Sequence, residues 1–290
     1  MNLNFSVNNI KDVILLSDLH LDLYPPEQWN YLLPEENNDA LLILSGDILR
    51  WKSGKKFHGK SPIVKLLTIL SKKFKAIAYI PGNHEYHRGL VGHYFDNKLR
   101  NYITKNKLYN VFLLNNDSLI LNKTIQLIGT TLWTPMKNEK NEGFDETIAK
   151  KDENNKYLLG DFNHIYFTDD KESFHRLNQN IVQCLHQRSV DYIENSIKSS
   201  RFDKLWLSTH HPPSLRLSKA RFVNDPLISA FCASLDDNIL RKFDLVTYGH
   251  NHQVDDVIIP ELNTRFITNA SGHFGYQNSH FNSNKIIYSF

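Results

Sequence analysis

The sequence predicts an α/β protein in which two β-sheets pack as a sandwich with helices outside them. Three observations carry that expectation. Residues 13–17, 40–45 and 76–80 are short, nearly continuous apolar runs, the pattern of strands covered on both faces. Between the second and third, residues 61–74 carry Ile63, Leu66, Leu67 and Leu70 at helical spacing behind a Ser-Pro start. The strand pattern resumes late in the chain, at residues 205–208, 245–248, 257–259 and 266–268.

Taken in order, the first three strands and the helix between them form a βαβ alternation, for which a right-handed crossover is the expectation. Residues 94–104 read as a second helix. Residues 111–114, 119–121 and 125–129 read as strands, the last two joined across Asn122-Lys123-Thr124 in a hairpin. Residues 137–156 are polar, charged and aperiodic. A stretch of that length inside a compact domain is usually a lid, a binding loop or disorder. Residues 174–197 then read as one long helix with Ser173 as its N-cap. There is no internal repeat and no linker, so residues 1–290 are expected to form a single domain with the polar loop inserted at about 137–156.

The composition is that of a soluble globular protein: 41% apolar and 22% charged residues. A net charge of +3 in 290 residues is too small to argue for a nucleic acid or a membrane surface. Cys184 and Cys232 are too few for a disulfide framework, and both are expected as buried free thiols. Residues 1–9 lack the basic and apolar regions of a secretory signal. No apolar run approaches the roughly 20 residues that span a bilayer. A cytoplasmic location is the expectation.

Chemistry-bearing residues follow the apolar runs. The five segments are Ser17-Asp18-Leu19-His20, Ser45-Gly46-Asp47, Pro81-Gly82-Asn83-His84-Glu85, Ser208-Thr209-His210-His211 and Gly249-His250-Asn251-His252. Together they offer carboxylates, an amide oxygen and imidazoles, the mixed set that suits a pair of divalent transition metals. In an extended segment, i and i+2 point the same way, so Asp18 with His20, and His250 with His252, can each reach a shared point. A bridging carboxylate is needed between two dications, and Asp47, after a permissive Gly46, is placed for it.

These motifs, D-x-H, G-D, G-N-H-[DE], H and G-H-x-H in this order, resemble the series of the calcineurin-like metallophosphoesterases, over the span from Asp18 to His252. Thr209-His210-His211-Pro212-Pro213-Ser214 and Phe231-Cys232-Ala233-Ser234-Leu235 are further similar to a bacterial branch of phosphoesterases defined by sequence. The resemblance implies a two-metal enzyme that hydrolyses a phosphomonoester, phosphodiester or nucleotide phosphoanhydride by attack of a metal-bridging hydroxide. It implies Asp18, His20, Asp47 and His252 around one metal and Asp47, Asn83, His210 and His250 around the other. It favours His210 over His211, which is left to face the substrate or to make an outer hydrogen bond. It implies His84 as the group that protonates the leaving oxygen, with Glu85 orienting it.

Other polar residues near the motifs are weaker candidates. Arg50 and Arg88 lie close to ligands and have the geometry to clamp phosphate oxygens. Lys52, Lys55, Lys56 and Lys60 with Trp51 form a basic loop, and His58, His87, His93, His164 and His273 are further candidates to line a pocket. With no thiolate in the set, Mn, Fe and Zn head the metals it would take. A small phosphorylated substrate is the expected partner. A nuclease of the same family and a non-catalytic scaffold are the alternatives, the first opposed by the low charge and the second by the intact motifs.

Overall fold

In the computed structural model the described residues are 5–50, 62–87, 90, 91, 93–137, 150–168, 173–218, 225 and 227–290. The first half runs β1 (Phe5–Val7), β2 (Asp12–Leu16), β3 (Asn37–Ser45), α1 (Pro62–Ser71), β4 (Phe74–Ile80), β5 (Leu90–Val91), α2 (His93–Lys105), β6 (Val111–Leu113), β7 (Asp117–Leu121) and β8 (Ile125–Thr130). The second half runs α3 (Asp161–His164), β9 (Tyr166–Thr168), β10 (Phe174–Arg176), α4 (Gln179–Ser199), β11 (Lys204–Thr209), α5 (Asp237–Leu240), β12 (Leu245–Thr247), β13 (Val254–Ile259) and β14 (Thr264–Asn269). It ends with β15 (Gly272–His273), β16 (Tyr276–Gln277) and β17 (Ile286–Ser289).

Two main sheets result, as the apolar runs predicted. One has the order β17-β2-β3-β4-β6 and the other β1-β7-β8-β11-β12-β14-β13. In the first, β2, β3, β4 and β6 are parallel, with Leu15 opposite Ile43 and Ile43 opposite Ala78. In the second, β8, β11, β12 and β14 are parallel, with Trp206 between Leu127 and Leu245. The predicted hairpin is there, β7 running antiparallel to β8.

Strand alternation divides the core. Val13, Leu15, Leu41, Ile43, Ala76 and Ala78 point to a cluster shared with Leu119, Leu127, Trp206 and Ile267 of the other sheet. Ile14, Leu16, Leu42, Leu44 and Ile77 point the other way, onto Ile63, Leu66, Leu67 and Leu70 of α1 and Leu99 and Ile103 of α2. Every one of these strands is buried on both faces, which is why it reads as an unbroken apolar run. The parallel strands of both sheets end at one edge, and the five motif segments follow those ends.

Two expectations need correction, and a third falls largely outside the described residues. The helix at 174–197 does not start at Ser173, because Phe174–Arg176 is β10, paired antiparallel with β9. Asn178 is the N-cap instead. Its backbone is extended and its side chain accepts from Ile181 N at 3.1 Å. The strand partner comes from residues 166–168, which no local periodicity reveals. Residues 138–149 of the polar stretch lie outside the described residues. From Lys150 onward the chain is structured: the Asp152 carboxylate accepts from Asn154 N and Lys156 N, both at 2.9 Å, and Lys151 bridges Tyr157. Cys232 is buried, but Cys184 is exposed on α4, and both are free. Among the described residues no helix is long and apolar enough to cross a membrane.

Asn178→Ala removes the acceptor at the start of α4 and should lower the unfolding free energy by about 1 kcal/mol. Urea titration followed by far-ultraviolet circular dichroism reads the effect, and an unmoved midpoint would place the helix start elsewhere.

Candidate metal centre

Asp18 and His20 follow β2, Asp47 follows β3 and Asn83 follows β4. His210 follows β11, and His250 and His252 follow β12. The backbone brings them together by a route other than the expected one. Asp18, His20, Asp47, His250 and His252 all sit in the left-handed region, with φ from 43° at His20 to 69° at His250. The paired residues therefore converge through kinks at the strand ends and not through the pleat of an extended strand. Such a conformation costs a non-glycine residue about 1–2 kcal/mol, and strain of this kind gathers where side chains must be aimed. The left-handed Gly46, at φ 85°, and Gly82 make the crowding possible. A Cβ on Gly46 would collide with the His210 ring, and one on Gly82 with the Asp47 carboxylate.

Asp47 stands between two groups of donors. Its Oδ2 faces His20 Nε2 at 3.9 Å and His84 Nε2 at 4.0 Å, while its Oδ1 faces His210 Nε2 at 3.3 Å. On the Oδ2 side, His20 Nε2 is 3.2 Å from His252 Nε2, which is 3.4 Å from Asp18 Oδ1. On the Oδ1 side, His210 Nε2 is 2.9 Å from Asn83 Oδ1 and 3.2 Å from His250 Nδ1. His20, Asp47 and His84 form one set whose donor atoms lie within 4.8 Å of one another, and Asp47, His210 and His250 form another. His20, His252 and His273 form a third set, which brings in the His273 expected only to line a pocket.

Hydrogen-bond logic fits these sets to cations. His210 Nδ1 lies 3.0 Å from the Ser45 carbonyl, which can only accept, so the ring proton is on Nδ1 and Nε2 presents a lone pair. That lone pair faces two oxygens, Asn83 Oδ1 and Asp47 Oδ1. With Asp47 ionised, three acceptors converge there, an arrangement a cation relieves. Burial pushes the imidazoles of His20, His210 and His250 down, so they are neutral and able to ligate. Burial also pushes the Asp18 carboxyl up to about 6, and burial together with Glu85 pushes Asp47 well above the usual carboxylate range. Buried carboxylates among neutral imidazoles lack positive charge. His250 Nε2 and His84 Nδ1 are buried with no hydrogen-bond partner among the described residues.

The remaining expected residues divide. Glu85 does not reach His84. Its carboxylate accepts from the backbone N–H of Asp47, Ile48, Leu49 and Gly82 and from Tyr79 Oη, at 2.6–3.2 Å, so it clamps the Asp47 turn. His211 makes an outer hydrogen bond, Nδ1 to Thr131 O at 3.1 Å, and packs against His250 and Trp133. His87 lines the cavity and stacks on His84 with centroids 4.2 Å apart. The ring of His164 lies 5.4 Å from that of His87. Arg50 turns to Asp22, whose carboxylate accepts from Arg50 N at 3.1 Å and lies 3.6 Å from Arg50 Nε. Arg88, His58 and the basic loop with Trp51 lie outside the described residues, and the side chain of His93 is likewise not described.

Asp161 was not singled out from the sequence. It is buried, accepts from Asn83 Nδ2 at 2.9 and 3.1 Å, and lies 2.7 Å from His87 Nε2. Burial alone would raise its carboxyl, but the His87 and Asn83 hydrogen bonds outweigh it and hold it below the usual range. Its only local signal is a lone acid after Leu158-Leu159-Gly160, too common to point to a site. The cavity over these groups has a volume of about 630 Å³ and walls that include Leu158, Leu227, Ile228, Phe231 and Tyr276.

The family description "Calcineurin-like phosphoesterase" matches residues 11–254 of this chain. The uncharacterized protein L509 of Acanthamoeba polyphaga mimivirus is 26% identical over 297 residues, spanning 94% of each protein. Among solved structures, the phosphopantetheinyl hydrolase PptH of Mycobacterium tuberculosis superposes with a TM-score of 0.64. The match has 16% identity and covers 92% of this chain and 91% of that one, a likeness of fold.

Glu85→Ala would strip four backbone N–H groups of their acceptor, and each buried donor left alone costs about 1–3 kcal/mol. The metal-free variant should lose roughly 4 kcal/mol or more of stability in urea unfolding. Glu85→Gln should lose less. An Ala variant as stable as the wild type would mean that other groups hold the Asp47 turn.

Proposed function

The chain belongs to the calcineurin-like phosphoesterase family and is a hydrolase of phosphoric esters, and from that premise we propose that Asp18, His20, Asp47 and His252 hold one divalent cation and Asp47, Asn83, His210 and His250 a second. The observation that most supports this reading is the place of Asp47, one oxygen toward each set of imidazoles. The donor set contains no thiolate, which suits Mn, Fe or Zn. Bound there, the pair supplies positive charge for phosphoryl oxygens and makes an adjacent water acidic enough to ionise near neutral pH.

The chain's own residues do the rest. Asp47 screens the two positive charges from each other. His84 faces the cavity beside Asp47 and is the group to protonate the leaving oxygen. Burial, with His87 beside it, pushes His84 down to about 2, so the ring is neutral in the free protein.

A cavity of about 630 Å³ suits a small phosphomonoester, phosphodiester or nucleotide anhydride. Its described lining holds no Lys or Arg and has apolar walls, which opposes the nuclease alternative. A phosphopantetheinyl ester, named for the structurally similar PptH, belongs in the substrate panel. Residues 137–156 remain the proposed specificity loop, since Leu158, Leu159 and Gly160 just beyond line the cavity. The free Cys184 and Cys232 agree with a reducing cytoplasm.

Elemental analysis of protein loaded with Mn should give two ions per chain. Asp47→Ala should lose at least one of them together with activity. His84→Ala should keep both and lower kcat by about 10²–10⁴-fold, with a smaller loss on a p-nitrophenyl ester, whose leaving group needs little protonation. An ion missing from His84→Ala would make His84 a ligand instead.

A further inference from the structure

Asp161 opens α3, outside every segment the motifs marked, and the reaction as proposed gives it no part. A buried carboxylate is costly unless its bonds repay it, and those of Asp161 run to side chains of the site. Asn83 donates Nδ2 to both of its oxygens, and His87 Nε2 lies against Oδ1.

An asparagine side chain has two ends of nearly equal shape and opposite polarity. An ionised carboxylate only accepts, so the end of Asn83 that meets Asp161 must be its NH2. The oxygen is then turned away, toward His210 Nε2 at 2.9 Å. The same carboxylate takes up His87 Nε2, and the His87 ring stacks on His84. One acid thus touches a donor of the second cation position and the ring packed on the group beside the leaving oxygen.

We propose that Asp161 is a positioning residue that keeps the Asn83 amide oxygen turned to the second cation and the His87 ring against His84. This rests on Asn83 being a ligand. Outer partners of this kind typically change metal affinity by about 10–100-fold when removed, while a packing role would change only stability.

The test uses Mn²⁺ titrated into the metal-free full chain by calorimetry and electron paramagnetic resonance, alongside the melting temperature of the metal-free protein. Asp161→Ala should weaken one of the two positions by about 10–100-fold and leave the other unchanged. Asp161→Asn keeps an acceptor for Asn83 and should lie closer to wild type than to Asp161→Ala. Asp161→Ser serves as the second deletion variant if the alanine does not fold. Two positions at wild-type affinity in the deletion variant would overturn the proposal, as would equal weakening of both with a fall in the metal-free melting temperature. Asn83→Ala separates the two layers of the argument. If it loses one ion while the Asp161 variants lose none, Asn83 is a ligand and Asp161 does not position it. If it keeps both ions, the ligand assignment fails and the proposal with it.

Discussion

Three acceptors, His210 Nε2, Asn83 Oδ1 and Asp47 Oδ1, converge once Asp47 is ionised, the two oxygens at 2.9 and 3.3 Å from the nitrogen, and a cation among them offsets the repulsion of their lone pairs. Much of the surrounding structure keeps the three from turning away. Ser45 O fixes the tautomer of His210. Asp161 fixes which end of Asn83 faces inward. Asp47 Oδ1 is held from behind by His84 N at 2.8 Å. The first two take up the proton and the amide donors that would otherwise face inward, and His84 N fixes the Asp47 oxygen in place.

That arrangement requires two sheets to end in register, since Asp47 and Asn83 come from one and His210 and His250 from the other. Below the site, Ser45, Ser208 and Thr247 join through buried hydroxyls at 2.8–3.4 Å, one from the first sheet and two from the second. Ser17 pairs with Ala270 across the same gap, and Ser271 N and Gly272 N donate to Ser17 O and Asp18 O. These bonds are where left-handed strain at Asp18 and Asp47 can be borne. A strained turn persists only when its flanks are over-determined, and here each turn follows a buried strand and the two are tied together by Asp18 N to Gly46 O and His20 N to Asp47 O, both at 3.0 Å.

Glu85 and Asp161 are both buried acids near the centre, yet their surroundings give them opposite tasks. Glu85 meets backbone N–H groups and so fixes the main chain of the Asp47 turn. Asp161 meets only side-chain donors of the site, so its influence is on orientation. The difference follows from geometry. Glu85 begins on a 3-10 turn directly behind Asp47, whereas Asp161 arrives from a distant part of the chain and meets the site from its open side.

The sequence alone was sufficient for the central strands of the two sheets, because strands covered on both faces are written as unbroken apolar runs, but it left out the edge strands β1 and β17. It was sufficient also to expect Asp18, His20, Asn83, His210, His250 and His252 around Asp47, because each stands in a segment just beyond a strand and the set has a recognisable order. It misled at 174–197, where a helical spacing continues through Phe174 although a distant strand claims residues 174–176. It misled at Glu85, whose neighbour in sequence is His84 but whose neighbours in space are the amides of another turn. Asp161 carried no readable signal at all. Its importance lies in meeting Asn83 and His87 from 74 or more positions away. Local patterns record what a residue needs from its own element; which donors meet a lone carboxylate across the fold is decided only when the chain closes.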